Sequence, residues 1–181
     1  MKKVIRVLLV EDDEDDAILT INHLLENGYE PFYKRAFSLE PLKVLLTNEI
    51  WDCVIADYAM PNFTGPEALE EFLKHNLEIP FILLSDTIGE ALAVSAMKSG
   101  ASDYIMKDHL ALLSSALDRE LREAEIRRQN KEKDILIRNN EIFFRSIIEK
   151  SFDIIKLLDS SGNILYASPS NFRLLGYTAQ E

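Results

Sequence analysis

Four short apolar runs each end on side chains that phosphoryl chemistry uses. Val7-Leu8-Leu9-Val10 leads into Glu11 and Asp12, and Cys53-Val54-Ile55-Ala56 leads into Asp57. Phe81-Ile82-Leu83-Leu84 leads into Ser85, and Tyr104-Ile105-Met106 into Lys107. Short apolar runs between helical patterns read as parallel strands, and open α/β sheets hold their ligands at the carboxyl ends of such strands. Three carboxylates, a hydroxyl and an ammonium are therefore expected to converge at one sheet edge. Ionised carboxylates this close repel and require compensating cations. A hard divalent ion with oxygen ligands fits, magnesium better than a softer metal, and Lys107 supplies the remaining positive charge. The set suits an aspartyl phosphate: one carboxylate attacks phosphorus while metal and lysine neutralise the phosphoryl oxygens. Asp57, placed between the other acids, is the expected nucleophile.

The elements that must position these groups follow from the pattern around them. After the first run, Asp13, Glu14, Asp15 and Asp16 suit the positive end of a helix dipole, and Ala17, Ile18, Ile21, Leu24 and Leu25 line one predicted helical face. Gly28 marks its stop. Residues 31–36 read as a second strand, and Ser38 caps a helix bearing Leu42, Leu45 and Leu46. Residues 52–57 form a third strand, almost wholly apolar up to its end as a strand covered on both faces should be. Thr64-Gly65-Pro66-Glu67 has capping-box spacing before Ala68, Leu69, Phe72 and Leu73, and Thr87-Ile88-Gly89-Glu90 repeats it before Ala91, Val94 and Met97. Five strand-helix units thus fit within about the first 125 residues, and right-handed crossovers wind them into a sheet with helices on both faces.

Beyond Lys107, Asp108 is placed to cap a helix from His109, and neither glycine nor proline recurs until Gly162. Leu110, Leu113, Leu117, Leu121 and Ala124 give that helix an apolar seam; residues 127–134 are polar, and Ile135, Ile142, Phe143, Ile147 and Ile148 resume it. A solvated single helix and a parallel dimeric coil both fit the middle stretch. The tail reads as two strands, 154–158 and 164–167, joined by Asp159-Ser160-Ser161-Gly162-Asn163, then a short helix over 171–175.

Composition narrows the function classes. The chain has 181 residues and a net charge of -11, which disfavours a nucleic-acid backbone as partner. Its single cysteine, Cys53, lies inside an apolar run and reads as a buried, inert thiol. No run of about eighteen apolar residues is present, and Arg6 interrupts what would have to be a signal segment, so a cytosolic chain without a membrane span is expected. His23, His75 and His109 lack metal-ligand spacing and read as surface or helix-end residues.

Residues 1–125 resemble a receiver domain of two-component response regulators. The resemblance is carried by Glu11-Asp12, the segment Asp57-Tyr58-Ala59-Met60-Pro61-Asn62-Phe63-Thr64-Gly65, Ser85, and Gly100-Ala101-Ser102-Asp103-Tyr104-Ile105-Met106-Lys107. It implies a flavodoxin-like, doubly wound five-stranded parallel sheet of order 2-1-3-4-5. It implies that Asp57 takes a phosphoryl group from a histidine kinase or phosphotransfer protein. Magnesium would be held by Asp12 and Asp57, by Glu11 through water, and by the Ala59 carbonyl. Ser85 and Tyr104 would act as the switch, reshaping the face made by the fourth helix, fifth strand and fifth helix. One departure is Asp108, where the family usually has a proline after the lysine, commonly with a cis peptide; a cis bond without proline costs about 3 kcal/mol, so a trans bond and a reshaped loop are expected.

The tail resembles the start of a PAS domain, through Phe144-Arg145-Ser146-Ile147-Ile148-Glu149-Lys150-Ser151, Asp153-Ile154-Ile155, Leu158-Asp159, Gly162, Leu165-Tyr166 and Leu174-Leu175-Gly176-Tyr177. The expected organisation is a receiver over 1–125, a helical linker and candidate coiled coil over 126–142, and an incomplete α+β PAS segment over 143–181. Two strands bury too little alone, so the chain is expected to stop partway through that domain. The expected function is phosphoacceptance with self-catalysed hydrolysis and no kinase core, signalling through the terminal helix. Its rival is a phosphorylation-independent scaffold that dimerises through residues 109–150. A small-molecule phosphatase would want an acid two residues past the nucleophile, where Ala59 stands.

Overall fold

The computed structural model describes residues 2–86 and 89–176. The chain divides into two units, Met1–Arg128 and Gln129–Glu181.

In the first unit strands and helices alternate. They run β1 (Lys3–Val10), α1 (Glu14–Glu26), β2 (Tyr29–Ala36), α2 (Leu39–Asn48), β3 (Cys53–Asp57), α3 (Gly65–Lys74), β4 (Phe81–Ser85), α4 (Glu90–Lys98) and β5 (Asp103–Met106). A 3-10 segment, Lys107–Leu112, precedes α5 (Leu113–Lys150). All sheet pairings are parallel, in the order β2-β1-β3-β4-β5. The expected order and the long terminal helix are both present.

Pleat alternation divides the central strands between two apolar layers. Leu8, Val10, Val54, Ala56, Phe81 and Leu83 face Leu42, Leu69, Phe72 and Ala96 on one side. Val7, Leu9, Cys53, Ile55, Ile82 and Leu84 face Ala17, Leu24, Leu113 and Leu117 on the other. Every residue of β3 and β4 is buried, in keeping with strands that are apolar up to their last residues, Asp57 and Ser85.

Several predicted details shift. In α1 the buried residues are Ala17, Thr20, Ile21 and Leu24, whereas Ile18 is 45% exposed. β2 starts two residues earlier than expected, at Tyr29. Leu73 is exposed at the edge of the α3 face. In α4 the buried residue is Ala96, while Val94 and Met97 are 53% and 46% exposed and Ala91 is exposed too. That helix is apolar nearly all round, so periodicity alone could not choose its face. Its N-cap is Gly89, which makes no side-chain cap bond; the capping box drawn from Thr87 lies outside the described residues. The regular terminal helix starts at Leu113 and not His109, because His109 takes non-helical angles (φ -114, ψ 34), and Asp108 does not cap it. Every described peptide bond is trans, Lys107–Asp108 included.

The second unit holds the end of α5, an antiparallel pair β6 (Lys156–Leu158) and β7 (Ile164–Ala167), and α6 (Pro169–Leu175). β6 is two residues shorter than expected and α6 two longer. Asp159 organises the turn by accepting from the Ser161 and Asn163 backbone amides at 2.9 and 2.8 Å. Arg173 donates to the carbonyls of Glu149 and Ser151 at the helix end. No described helix is long and apolar enough to cross a membrane.

Candidate functional site

Strand register assembles the site. Val10 pairs with Ala56, Asp57 with Leu84, and Ser85 with Met106, so the residues at or just after these strand ends fall side by side. Glu11, Asp12 and Asp57 each bring a carboxylate oxygen within 4.8 Å of the others. Lys107 Nζ lies 3.3 Å from Glu11 Oε2 and 3.4 Å from Asp57 Oδ1. Ser85 is buried beside them at the end of β4. The predicted acids, hydroxyl and ammonium thus come together.

Glu11 is 2% exposed and Asp57 5%, which sets the electrostatics. Burial raises the Asp57 carboxyl above its ordinary range, partly offset by the Lys107 charge and by the Ala59 and Tyr58 amides. Burial likewise raises Glu11, again against Lys107, with the Asp57 charge adding to the rise. For Lys107 burial acts downward, but the Asp16 hydrogen bond and the Glu11 and Asp57 charges more than offset it and hold the ammonium protonated. Asp57 Oδ1 is buried without a hydrogen-bond partner, at ion-pair range from Lys107. A buried carboxylate oxygen in that state costs free energy until something engages it.

The loop after Asp57 is closed tightly. Tyr58 donates its amide to the Leu84 carbonyl at 2.7 Å, Gly65 donates to the Tyr58 carbonyl at 3.0 Å, and Ala59 bridges Thr64. Thr64 and Glu67 form the predicted capping box on α3. Gly65 is obligatory for space: a Cβ there would stand 2.5 Å from Leu83 Cδ2 and 2.6 Å from the Asp57 carbonyl. Tyr104 is half-buried, and its ring meets that of Tyr58 edge to face at 6.0 Å.

Two contributors escape the strand-end logic. Arg35, near the end of β2, donates Nη1 to the Asp12 carbonyl at 2.9 Å and reaches the Glu11 carbonyl at 3.4 Å, fixing the backbone of the acidic pair. Asp16, read above only as a dipole partner, lies with Oδ2 2.5 Å from Lys107 Nζ. Its acidic neighbour Asp13 is the α1 N-cap, accepting from the Asp15 and Asp16 amides. No spacing rule points to Arg35. The i, i+4 neighbour of Asp12 in the sequence was the available hint for Asp16.

The donor set consists of hard oxygens, and among the described residues this is the group of three acids placed to hold a metal ion. Cys53, by contrast, is fully buried in β3, and burial pushes its thiol up, as an inert packing residue requires.

A parallel 2-1-3-4-5 sheet with an acidic crevice at its carboxyl edge defines a doubly wound α/β module. Residues 7–118 match the response regulator receiver domain family, and the chain belongs to it. It is 34% identical over 118 residues to the uncharacterized transcriptional regulatory protein YvcP of Bacillus subtilis, covering 65% of this chain and 48% of that one. It is 28% identical over 104 residues to chemotaxis protein CheY1 of Helicobacter pylori, covering 56% and 84%. Among solved structures, the Francisella response regulator 1452 receiver domain superposes with a TM-score of 0.58 at 25% identity, over 66% of this chain and 98% of that one. The chain therefore spans about half the length of the Bacillus relative.

Proposed function

We propose that this protein is the phosphoacceptor of a two-component phosphorelay, taking a phosphoryl group on Asp57 from a histidine kinase or a phosphotransfer protein in the cytoplasm. The observation that carries the reading is the buried Asp57 carboxylate, one oxygen without a hydrogen bond and 3.4 Å from the Lys107 ammonium. An Asp57 oxygen attacks phosphorus, the new O–P bond forms as the donor's P–N bond breaks, and the leaving imidazole takes a proton from water. Lys107 stays protonated and meets the charge that the transferred group brings. Ser85, buried at the end of β4, offers a hydroxyl to the new phosphoryl oxygens.

Glu11, Asp12, Asp57 and the Ala59 carbonyl would hold magnesium, which suits this oxygen set and relieves the unpartnered Asp57 oxygen. When bound it supplies charge neutralisation to the phosphoryl oxygens. Tyr104 is the switch residue in this reading. It lines a cleft with Ala93, Leu112, Ala116 and Arg119, so a change in its position alters the surface between α4 and α5.

The signal then passes along α5. We assign residues 1–125 to the receiver, 126–142 to a helical linker and 143–181 to an incomplete PAS segment, on the resemblance and on the helix-hairpin-helix arrangement of the second unit. A second reading, a scaffold that dimerises through residues 109–150 whatever its phosphorylation state, is favoured by the exposure of Ile135, Leu136, Ile142, Phe143 and Phe144 on α5. Light scattering with and without beryllofluoride and magnesium separates them: equal dimer fractions support the scaffold. For the phosphoacceptor, intact-mass measurement after incubation with acetyl phosphate and magnesium should show one added phosphoryl group, absent in Asp57→Asn. No added mass in the wild type would rule the proposal out.

A further inference from the structure

Lys107 is surrounded by more carboxylates than it has protons to give. Its Nζ stands 2.5 Å from Asp16, 3.3 Å from Glu11, 3.4 Å from Asp57 and 3.7 Å from Asp86. An ammonium has three N–H donors. Hydrogen bonds run to Asp16 and Glu11, whereas Asp57 and Asp86 are met at ion-pair range. The shortest of the four contacts is thus made with Asp16 and not with Asp57.

We propose that Asp16 is a positioning residue that anchors the Lys107 ammonium in the resting site and competes with a phosphoryl group on Asp57 for it. The inference rests on the reading of Asp57 as phosphoacceptor. Asp16 sits in the first turn of α1, its backbone fixed by donation to Asp13 Oδ1 at 3.1 Å. Its carboxylate therefore approaches Lys107 from a rigid helix end. Lys107 reaches it from the chain just beyond β5, where the following backbone is a 3-10 segment. The lysine stem is flexible, and a shift of Nζ from Asp16 towards Asp57 needs only rotamer changes. A dianion on Asp57 draws the ammonium over; Asp16 holds it back. Asp16 thereby lowers the affinity of the site for a phosphoryl group without touching it.

The test uses the full chain and its Asp16→Asn and Asp16→Glu variants, titrated with beryllofluoride in magnesium. Asp16→Asn should bind the mimic roughly three- to fivefold more tightly, the scale of a partly exposed charge pair, and Asp16→Glu should return towards the wild type. Side-chain nitrogen NMR of the metal-free protein provides an independent readout: the Lys107 ammonium resonance should be protected from exchange in the wild type and lose that protection in Asp16→Asn. Unchanged or weaker mimic binding together with an unchanged Lys107 resonance overturns the inference while leaving phosphoacceptance standing. If the wild type fails to bind the mimic yet the resonance moves as described, the anchoring stands and the assignment of Asp57 falls.

Discussion

Gly65 ties the backbone of Asp57 to the start of α3 through the absence of one methyl group. An alanine there would drive a Cβ to 2.5 Å from Leu83 Cδ2 and 2.6 Å from the Asp57 carbonyl, and 2.9 Å from Tyr58 Cα, two of them backbone atoms that cannot swing aside. Gly65→Ala should cost roughly 1–3 kcal/mol in a denaturant titration, as overpacking does, and should slow phosphoryl uptake. Arg35 makes a different prediction, since it binds the carbonyls of Glu11 and Asp12 and not their carboxylates. Arg35→Ala should weaken magnesium binding severalfold, measured calorimetrically, while Arg35→Lys restores only part because it lacks the planar fork. Glu11, Asp12, Asp57, Ser85 and Lys107 were legible in the sequence because each ends or follows a strand, and strand ends share one edge. Arg35 was not, because it reaches sideways from β2 to the backbone after β1, a relation that no local pattern encodes, and Asp16 was marked only by its i, i+4 spacing from Asp12 within an acidic run.

At the scale of elements, the α5 root is tied to the sheet by Asp118. Tyr29 of β2 donates its hydroxyl to Asp118 at 2.6 Å, and Lys3 of β1 pairs with it at 3.5 Å. The Tyr29 bond, then Lys3, holds the Asp118 carboxyl below its ordinary value, even against the opposing effect of its partial burial. A carboxyl depressed by folding adds stability above its unfolded pKa of about 4, and that stability is lost as pH falls through the folded value. Burial and the same bond raise the Tyr29 phenol, so its share persists below a pH of about 10 and is lost as pH climbs beyond. Tyr29→Phe should therefore flatten the acid limb of a stability-pH curve, by less than about 1 kcal/mol because Asp118 is half exposed. An unaltered acid limb in the variant would contradict this. Helix existence was readable, but helix faces less so. In α1 a buried Thr20 takes the place expected of Ile18, and in α4 apolar residues on several sides left the face undetermined until β5 packed against it. The break at His109 was likewise hidden, since Leu110 and Leu113 continue a helical period straight through it.

For the molecule as a whole, a sheet with helices and apolar layers on both faces followed from strand-helix alternation and handedness, the strand order from the receiver resemblance, and the long terminal helix from the lack of glycine and proline until Gly162. The second unit was less legible because its elements are short: strands of three and four residues and a helix of seven leave little periodicity to read. What unites the molecule functionally is the claim that Asp57 becomes an acyl phosphate. The most direct measurement is borohydride reduction of the full chain after treatment with acetyl phosphate and magnesium, followed by peptide mass mapping, since reduction converts an aspartyl phosphate into homoserine. Homoserine at position 57 and at no other acid is the predicted result. Homoserine at Asp12 or Asp16 instead, or nowhere, would contradict the account.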